Sequence, residues 1–400
     1  MDTLVRAGIL YPVTAPPVEN GWLLLRDGRI AGIGGGAPPH ADKVIDLTGH
    51  LVMPGLVNAH CHLQFTAARG SMPRGGFMEW VQAAIAYSSK IAVDEMLGGV
   101  EQGVAELLSS GTTAVGDIVG HPAVAGKVAR SSLRVVVLVE TIAPGVKDGE
   151  AAWRNCLGLL DLVKNAGGQA GLAPHGPHTV SPGYFSNLHR YAQDQNIPIT
   201  SHVAESPEEG LFIGKGEGPF RSLLRQRGAL AEGFNGYGKS PVMVIKEQRA
   251  LKRLIAAHLN EVDETDIAAL VAAKAIPVFC PGSSRWFGRK KVMPFDRFIE
   301  AGLAPCLGTD SAASNDSLSM LDEMRAARGY FPTIPAERWV EAATINGARA
   351  LGLECGALET GRWADIVSFP ARGGSPLDAL FAAKEASFVM VGGDIIRNIA

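Results

Sequence analysis

Four hundred residues, 46% of them hydrophobic and 19% charged, are enough for one large globular domain with a smaller one beside it, and they exclude a disordered chain. A net charge of -3 with no Lys/Arg block gives no electrostatic footprint for nucleic acid, and no apolar run reaches membrane-spanning length. Five scattered cysteines, at 61, 156, 280, 306 and 355, lack a disulfide framework and point to a reducing compartment.

The start, Met1-Asp2-Thr3-Leu4-Val5-Arg6, has no basic segment followed by a long apolar one, so no signal peptide is expected and cytoplasm is the default. Residues 1–54 read as short strands and tight turns, with a hairpin around Asp27-Gly28 inside Gly21–Ile30. Gly32–Gly36 faintly looks like a dinucleotide loop, but Ala37-Pro38-Pro39 follows and a plain turn is expected. From Leu56 short apolar runs alternate with helical stretches such as Val262–Ala275 and Met320–Gly329. Strands are expected to end near His62, Asp117, Glu140, Ala173, His202, His258, Cys280 and Asp310. Eight such units over roughly 250 residues predict an α/β chain with a (β/α)8 TIM-type barrel over 55–353. After Leu353 the strand-and-turn style returns, and residues 354–400 are expected to join 1–54 in a small β-sandwich domain.

Several strand ends carry a ligand or proton carrier, and barrel enzymes place their chemistry there. In Asn58-Ala59-His60-Cys61-His62, strand alternation sends both imidazoles to one face and Cys61 to the other. His202 ends the fifth strand, His258 the sixth and Asp310 the eighth. Each alone has an ordinary explanation: a hydrogen-bonded histidine, or an aspartate capping the next helix. The coincidence of all of them at one end of one kind of unit points to a metal site. Glu205, three residues past His202, falls on the wrong face of a regular strand. If the chain turns beyond the strand end, Glu205 reaches the mouth as a proton carrier.

These residues carry a resemblance. Pro54–His62, His202-Val203-Ala204-Glu205, His258, Cys280–Ser284 and Leu307–Ser311 resemble, in order, the motifs of the amidohydrolase superfamily, in its branch of cytosine/guanine/adenosine-type deaminases and triazine hydrolases. The resemblance implies one divalent metal, zinc or else iron, on His60, His62, His202 and Asp310. His258 would contact the water or the developing oxyanion. The fourth strand, Gln169–Pro174, lacks the lysine with which two-metal relatives bridge, which favours a single metal. The implied reaction is hydrolytic deamination of a cyclic amidine. Asp310 would accept the water proton, Glu205 would protonate the ring nitrogen and His258 would stabilise the tetrahedral intermediate.

The pocket is read from weaker signals. His175 stands where relatives touch substrate, and His178 where an aromatic is common. Arg69 and Arg74, with Phe77 and Trp80, suggest a lid with a stacking surface and a carboxylate-binding guanidinium; a solvated loop over core aromatics explains them equally well. Ser283 and Arg285 follow the seventh strand, where Arg285–Arg289 offers another cationic option. The stretches Cys280–Gly288 and Gly308–Glu323 are most similar to bacterial aminodeoxyfutalosine deaminases of menaquinone synthesis, which would make the substrate an adenosine-like nucleoside. Triazine, pterin or guanine hydrolysis is the alternative within the branch. The partner expected is thus a small molecule, with a homodimer allowed by the relatives. Two rivals lie outside the branch. Gly233–Ser240 matches the phosphate-binding pattern G-x-x-x-x-G-K-S, but a helix-like segment precedes it and Pro241 follows, against a nucleotide triphosphatase. A barrel that had lost catalysis would be expected to have lost ligands, and every ligand position is filled.

Overall fold

In the computed structural model, residues 1–144, 149–371 and 374–400 are described. Two four-stranded parallel sheets hold the barrel strands. One contains Leu56–Cys61, Thr112–Val119, Arg134–Thr141 and Gln169–Pro174; the other contains Thr200–Val203, Ile255–His258, Ile276–Phe279 and Cys306–Leu307. Single parallel bridges close both seams, Leu172 to Ile199 and Cys61 to Asp310, so the eight strands form one ring. Among these strands only Gln169–Pro174 carries an exposed residue, Gln169 at its start, and Thr112–Val119 is buried throughout, the near-continuous apolar pattern of parallel strands covered on both faces. Side chains such as Val57, Ala59, Ile118, Val136, Leu138, Ile255 and Val278 fill the barrel, joined by Ala348, Leu351 and Leu353 from the end of the chain's barrel segment.

Helices on the outside start where the sequence supplies caps. Asp263 caps Glu264–Ala272 in a capping box with Asp266, and Ser206 caps Pro207–Lys215 with proline at the first turn.

Both chain ends enter one mixed eight-stranded sheet. Its order runs from Asp394–Asn398 through Phe388–Val391, Ile366–Pro370, Lys43–Pro54, Thr3–Leu10 and Trp22–Arg26 to Arg29–Gly34, with Val18–Glu19 paired to Thr3–Leu10. All eight strands are hydrogen-bonded into this single sheet, which encloses its own apolar cluster around Leu23, Leu47, Ile366 and Phe388. The hairpin expected at Asp27-Gly28 is present, with Arg26 opposite Arg29 and both turn residues at positive φ, 50° and 73°. The strand Lys43–Pro54 runs through Gly55 straight into the first barrel strand, so the small sheet anchors the segment that carries His60 and His62. A bidentate ion pair, Arg134 Nε to Asp365 Oδ2 at 2.6 Å and Nη2 to Oδ1 at 2.9 Å, ties the third barrel strand to the same sheet.

Gly32–Gly36 continues a strand into a bend, as the prolines after it require. Gly233–Ser240 follows a helix, Pro219–Gln226, without an intervening strand. Ser240 caps the short helix Pro241–Glu247, and Lys239 pairs with Glu247. The strand–loop–helix context of a phosphate loop is not formed there. No helix among the described residues is long and apolar enough to cross a membrane.

Candidate active site

The C-terminal ends of the first, fifth, sixth and eighth strands converge on His60. His60 is fully buried, and His62, His202, His258 and Asp310 are buried around it. His62 Nε2 lies 3.2 Å from His202 Nε2, and Asp310 Oδ1 lies 3.7 Å from His62 Nε2 and 3.9 Å from His60 Nε2. Two overlapping groups, His60–His202–His258 and His60–His62–Asp310, each place one potential ligand atom per residue within 4.8 Å of the others. Cys61 packs into a separate apolar cluster with Leu63 and Val119 and not among the ligand atoms; the strand's register shifts between Asn58 and Cys61.

Backbone geometry delivers these groups. A Cβ on Gly308 would sit 2.7 Å from His60 Cβ, so glycine alone lets the eighth strand approach the first. Ala204, His258 and Asp310 adopt left-handed conformations, with φ of 50°, 74° and 59°. That region is unfavourable for residues with a side chain, and it clusters at functional sites. Ala204 is the turn that the sequence reading required: it reverses the alternation after Val203 and brings Glu205 toward the mouth.

Burial and the mutual proximity of the imidazoles hold His60, His62 and His175 well below the usual histidine range. Burial also lowers His202, against the pull of Asp310, and brings His258 down to about 3. The rings are therefore neutral at pH 7, the form that ligates a metal. His202 Nδ1 donates to the carbonyl of His175 at 2.7 Å, which leaves Nε2 bare and facing His62. His60 Nδ1 and Nε2 and His62 Nδ1 are buried without a hydrogen-bond partner, a costly arrangement unless something accepts their lone pairs. Three imidazoles and a carboxylate with orphaned nitrogens fit a divalent ion such as Zn2+ or Fe2+.

Glu205 stands beside this cluster. Its Oε2 lies 3.9 Å from His258 Nε2 and its Oε1 lies 3.5 Å from Arg289 Nη2. Burial pushes the carboxyl up to about 8, with Arg289 opposing. The buried Glu209 accepts the Glu205 backbone N–H at 2.7 Å, and Asn260 Nδ2 donates to the Glu205 carbonyl at 3.2 Å; these contacts fix the turn.

The pocket residues read from sequence divide. His175 sits at the rim, its ring centroid 4.9 Å from that of His202, with Nδ1 2.7 Å from Thr179 Oγ1. His178 packs on Phe220 at 4.5 Å, its Nδ1 3.8 Å from Glu209 Oε1. Phe77 and Trp80 join Phe287 in an aromatic cluster, and Trp80 Nε1 donates to Ala313 O at 2.7 Å. Ser283, expected on the substrate, donates its hydroxyl to Asp310 Oδ2 at 2.8 Å and steadies that carboxylate. Arg69 and Arg74 are exposed and already paired, with Glu106 and Asp316 respectively. Arg285 is exposed as well; the short helix Pro281–Trp286 points it outward, and Arg289, beyond the end of that helix, is the guanidinium that reaches Glu205. Arg289 was read from sequence only as part of the cationic run Arg285–Arg289, and Ser314 and Glu209 were not selected. An arginine within a cationic run, a serine in a serine-rich loop and a helical glutamate carry no signal until the loops are folded.

The comparisons agree with this architecture. The family model described as "Amidohydrolase family" matches residues 51–396. The chain is 30% identical over 365 residues to a 5-methylthioadenosine/S-adenosylhomocysteine deaminase of Pyrococcus furiosus, spanning 86% of this chain and 80% of that protein. It is 30% identical over 375 residues to a 5'-deoxyadenosine deaminase of Methanothermobacter thermautotrophicus, spanning 89% and 82%. Among solved structures, Helicobacter pylori aminofutalosine deaminase in complex with methylthio-coformycin superposes with a TM-score of 0.87 at 24% identity, over 98% of this chain and 100% of that one. An adenosine deaminase from Xanthomonas campestris with bound zinc superposes at 0.86 and 23% identity, over 99% and 93%. At these identities the structures speak for the fold, while the family match runs from the strand before His60 into the last strand of the terminal sheet. The chain is thus a member of the amidohydrolase family, hydrolases of carbon–nitrogen bonds.

Proposed function

We propose that this protein is a metal-dependent deaminase of a 6-aminopurine nucleoside, releasing ammonia from an adenosine-type substrate. The observation that carries the reading is Glu205, a buried carboxyl 3.9 Å from His258 whose pKa burial raises, set beside the cluster of histidines and Asp310. A structural metal site has no use for such an acid. The named relatives, deaminases of 5-methylthioadenosine, S-adenosylhomocysteine and 5'-deoxyadenosine, support the purine.

The residues present fit one divalent ion, held by His60, His62, His202 and Asp310. Bound there, Zn2+ or Fe2+ supplies the Lewis acid that brings the pKa of water to about 7. Asp310 turns Oδ1 toward the histidines while Ser283 and Ser314 donate to Oδ2 and fix the carboxylate, so Oδ1 would face the ion, and Asp310 is the carboxylate that would accept the water proton. Glu205 gives its proton to the ring nitrogen next to the amino-bearing carbon, which makes that carbon electrophilic, and relays a proton to the departing amine. His258, neutral and 3.9 Å from Glu205, donates to the oxygen on which charge develops. His175 and the Phe77–Trp80 pair border the ring on its other sides.

Arg69 and Arg74 each face a carboxylate already, so neither offers a spare guanidinium to a benzoate-bearing substrate such as aminodeoxyfutalosine. The reading therefore commits to the purine and assigns the 5' substituent by experiment. Zinc-loaded protein is assayed for ammonia release from adenosine, 5'-deoxyadenosine, 5'-methylthioadenosine, S-adenosylhomocysteine and aminodeoxyfutalosine. Turnover of at least one is expected. Silence on all of them, with turnover of a triazine, pterin or guanine, would overturn the substrate class.

A further inference from the structure

Arg289 stands at the mouth, and the reaction above does not use its chemistry. Its side chain is only 9% exposed, and Nη2 is buried without a hydrogen-bond partner among the described residues. The guanidinium lies over the rings of Phe77, at 4.6 Å, and Phe287, at 5.1 Å, which fix its plane. Nη2 stands 3.5 Å from Glu205 Oε1, too far for the buried N–H to be satisfied, although the acceptor is adjacent. A buried cationic donor left unmet costs stability, so it has a use when something else occupies the mouth.

The order of groups says what that is. His258 faces one oxygen of Glu205 and Arg289 faces the other. Moving away from the metal-ligand cluster, the sequence is His258, then Glu205, then Arg289. On a ring seated for attack, these meet the reacting carbon, the nitrogen that receives the proton, and the edge beyond that nitrogen. When Glu205 is protonated, it and Arg289 are two donors side by side, about as far apart as donors that grip two acceptors separated by one carbon. We infer that Arg289 is a specificity residue that donates to a hydrogen-bond acceptor lying two bonds beyond the ring nitrogen protonated by Glu205. This rests on the deaminase reading and deepens it. In a 6-aminopurine the acceptor is N3, or an oxygen on C2; both offer the same lone pair to the same donor.

The test compares adenosine with 3-deazaadenosine, in which N3 becomes C–H, and with isoguanosine, which carries a C2 oxygen, using zinc-loaded wild type and Arg289→Met. If N3 is read, wild-type kcat/KM falls roughly 10- to 100-fold on 3-deazaadenosine, the usual loss for a hydrogen bond to a charged group. Arg289→Met then loses a similar factor on adenosine and only about twofold more on 3-deazaadenosine, the non-additivity of a direct contact. If the C2 oxygen is read, wild type prefers isoguanosine over adenosine by the same order and the variant does not. Wild type indifferent to both changes overturns the inference without needing any variant. An equal loss on all three substrates in Arg289→Met also overturns it, because Arg289 would then act through Glu205. Absence of ammonia from every 6-aminopurine overturns the deaminase reading itself, and this assignment with it.

Discussion

Ser283 donates its hydroxyl to Asp310 Oδ2 at 2.8 Å, on the oxygen that Ser314 also contacts at 2.7 Å, while Oδ1 faces His60 and His62. A carboxylate with one oxygen tethered has one oxygen to offer a metal. Loss of such a supporting bond typically weakens metal affinity about 10- to 100-fold. Ser283→Ala should therefore raise the zinc dissociation constant by that factor in competition with a chelator. An unchanged constant would mean that Asp310 needs no tether.

Removal of the ion should abolish turnover, and addition of Zn2+ or Fe2+ should restore it. Elemental analysis is expected to give one equivalent per chain. His60→Ala or His202→Ala should lower that content. Full occupancy in both variants would dismiss the cluster as the metal site.

Glu205→Gln should lower kcat by about 10²–10⁴, the usual contribution of a proton carrier. The same change has an opposite effect on stability. A carboxyl whose folded pKa is raised to about 8 keeps its proton after the unfolded chain has lost its own near 4.5. The contribution of Glu205 to the stability of the metal-free protein then falls as pH climbs from about 4.5 and stops falling above about 8. Glutamine removes that dependence, so metal-free Glu205→Gln should melt higher than metal-free wild type at pH 8 and about equally at pH 4. Parallel melting curves across this range would contradict the assigned environment of Glu205.

Ala204 tests how Glu205 is aimed. At φ 50° glycine is better tolerated than alanine, and a β-branched residue is much worse. Ala204→Gly should fold normally and keep most of its turnover. Ala204→Val should lose turnover far more than it loses metal, since it displaces Glu205 while His202 stays on its strand. Equal kinetics for the two variants would remove the turn from the account.

The ion pair between Arg134 and Asp365 joins barrel to terminal sheet, and Asp365 Oδ1 also accepts the Gly392 N–H at 2.7 Å. Asp365→Ala leaves a largely buried guanidinium unpaired, which costs about 3–5 kcal/mol in comparable sites. Thermal denaturation should show a correspondingly lower midpoint. A midpoint within a degree or so of wild type would show that the two parts hold together without the pair.

The sequence by itself determined the barrel and which of its strand ends carry candidate ligands. Alternating strands and helices follow from local apolar patterning, and His60, His202 and His258 fall near the ends of their strands, with His62 and Asp310 just beyond theirs, so the order of strands brings all five to one end of the barrel. The turn at Asp27-Gly28 was legible for the same reason, since two adjacent residues set its geometry. What only the tertiary structure decided lies on loops. Whether Ser283 meets substrate or Asp310, and whether Arg285 or Arg289 enters the mouth, depends on where a six-residue helix ends and on aromatic packing from Phe77, brought in from another loop. Contacts across the barrel mouth join residues on different loops, Phe77 with Arg289 among them, and no local pattern encodes which side chains of two irregular segments will face each other.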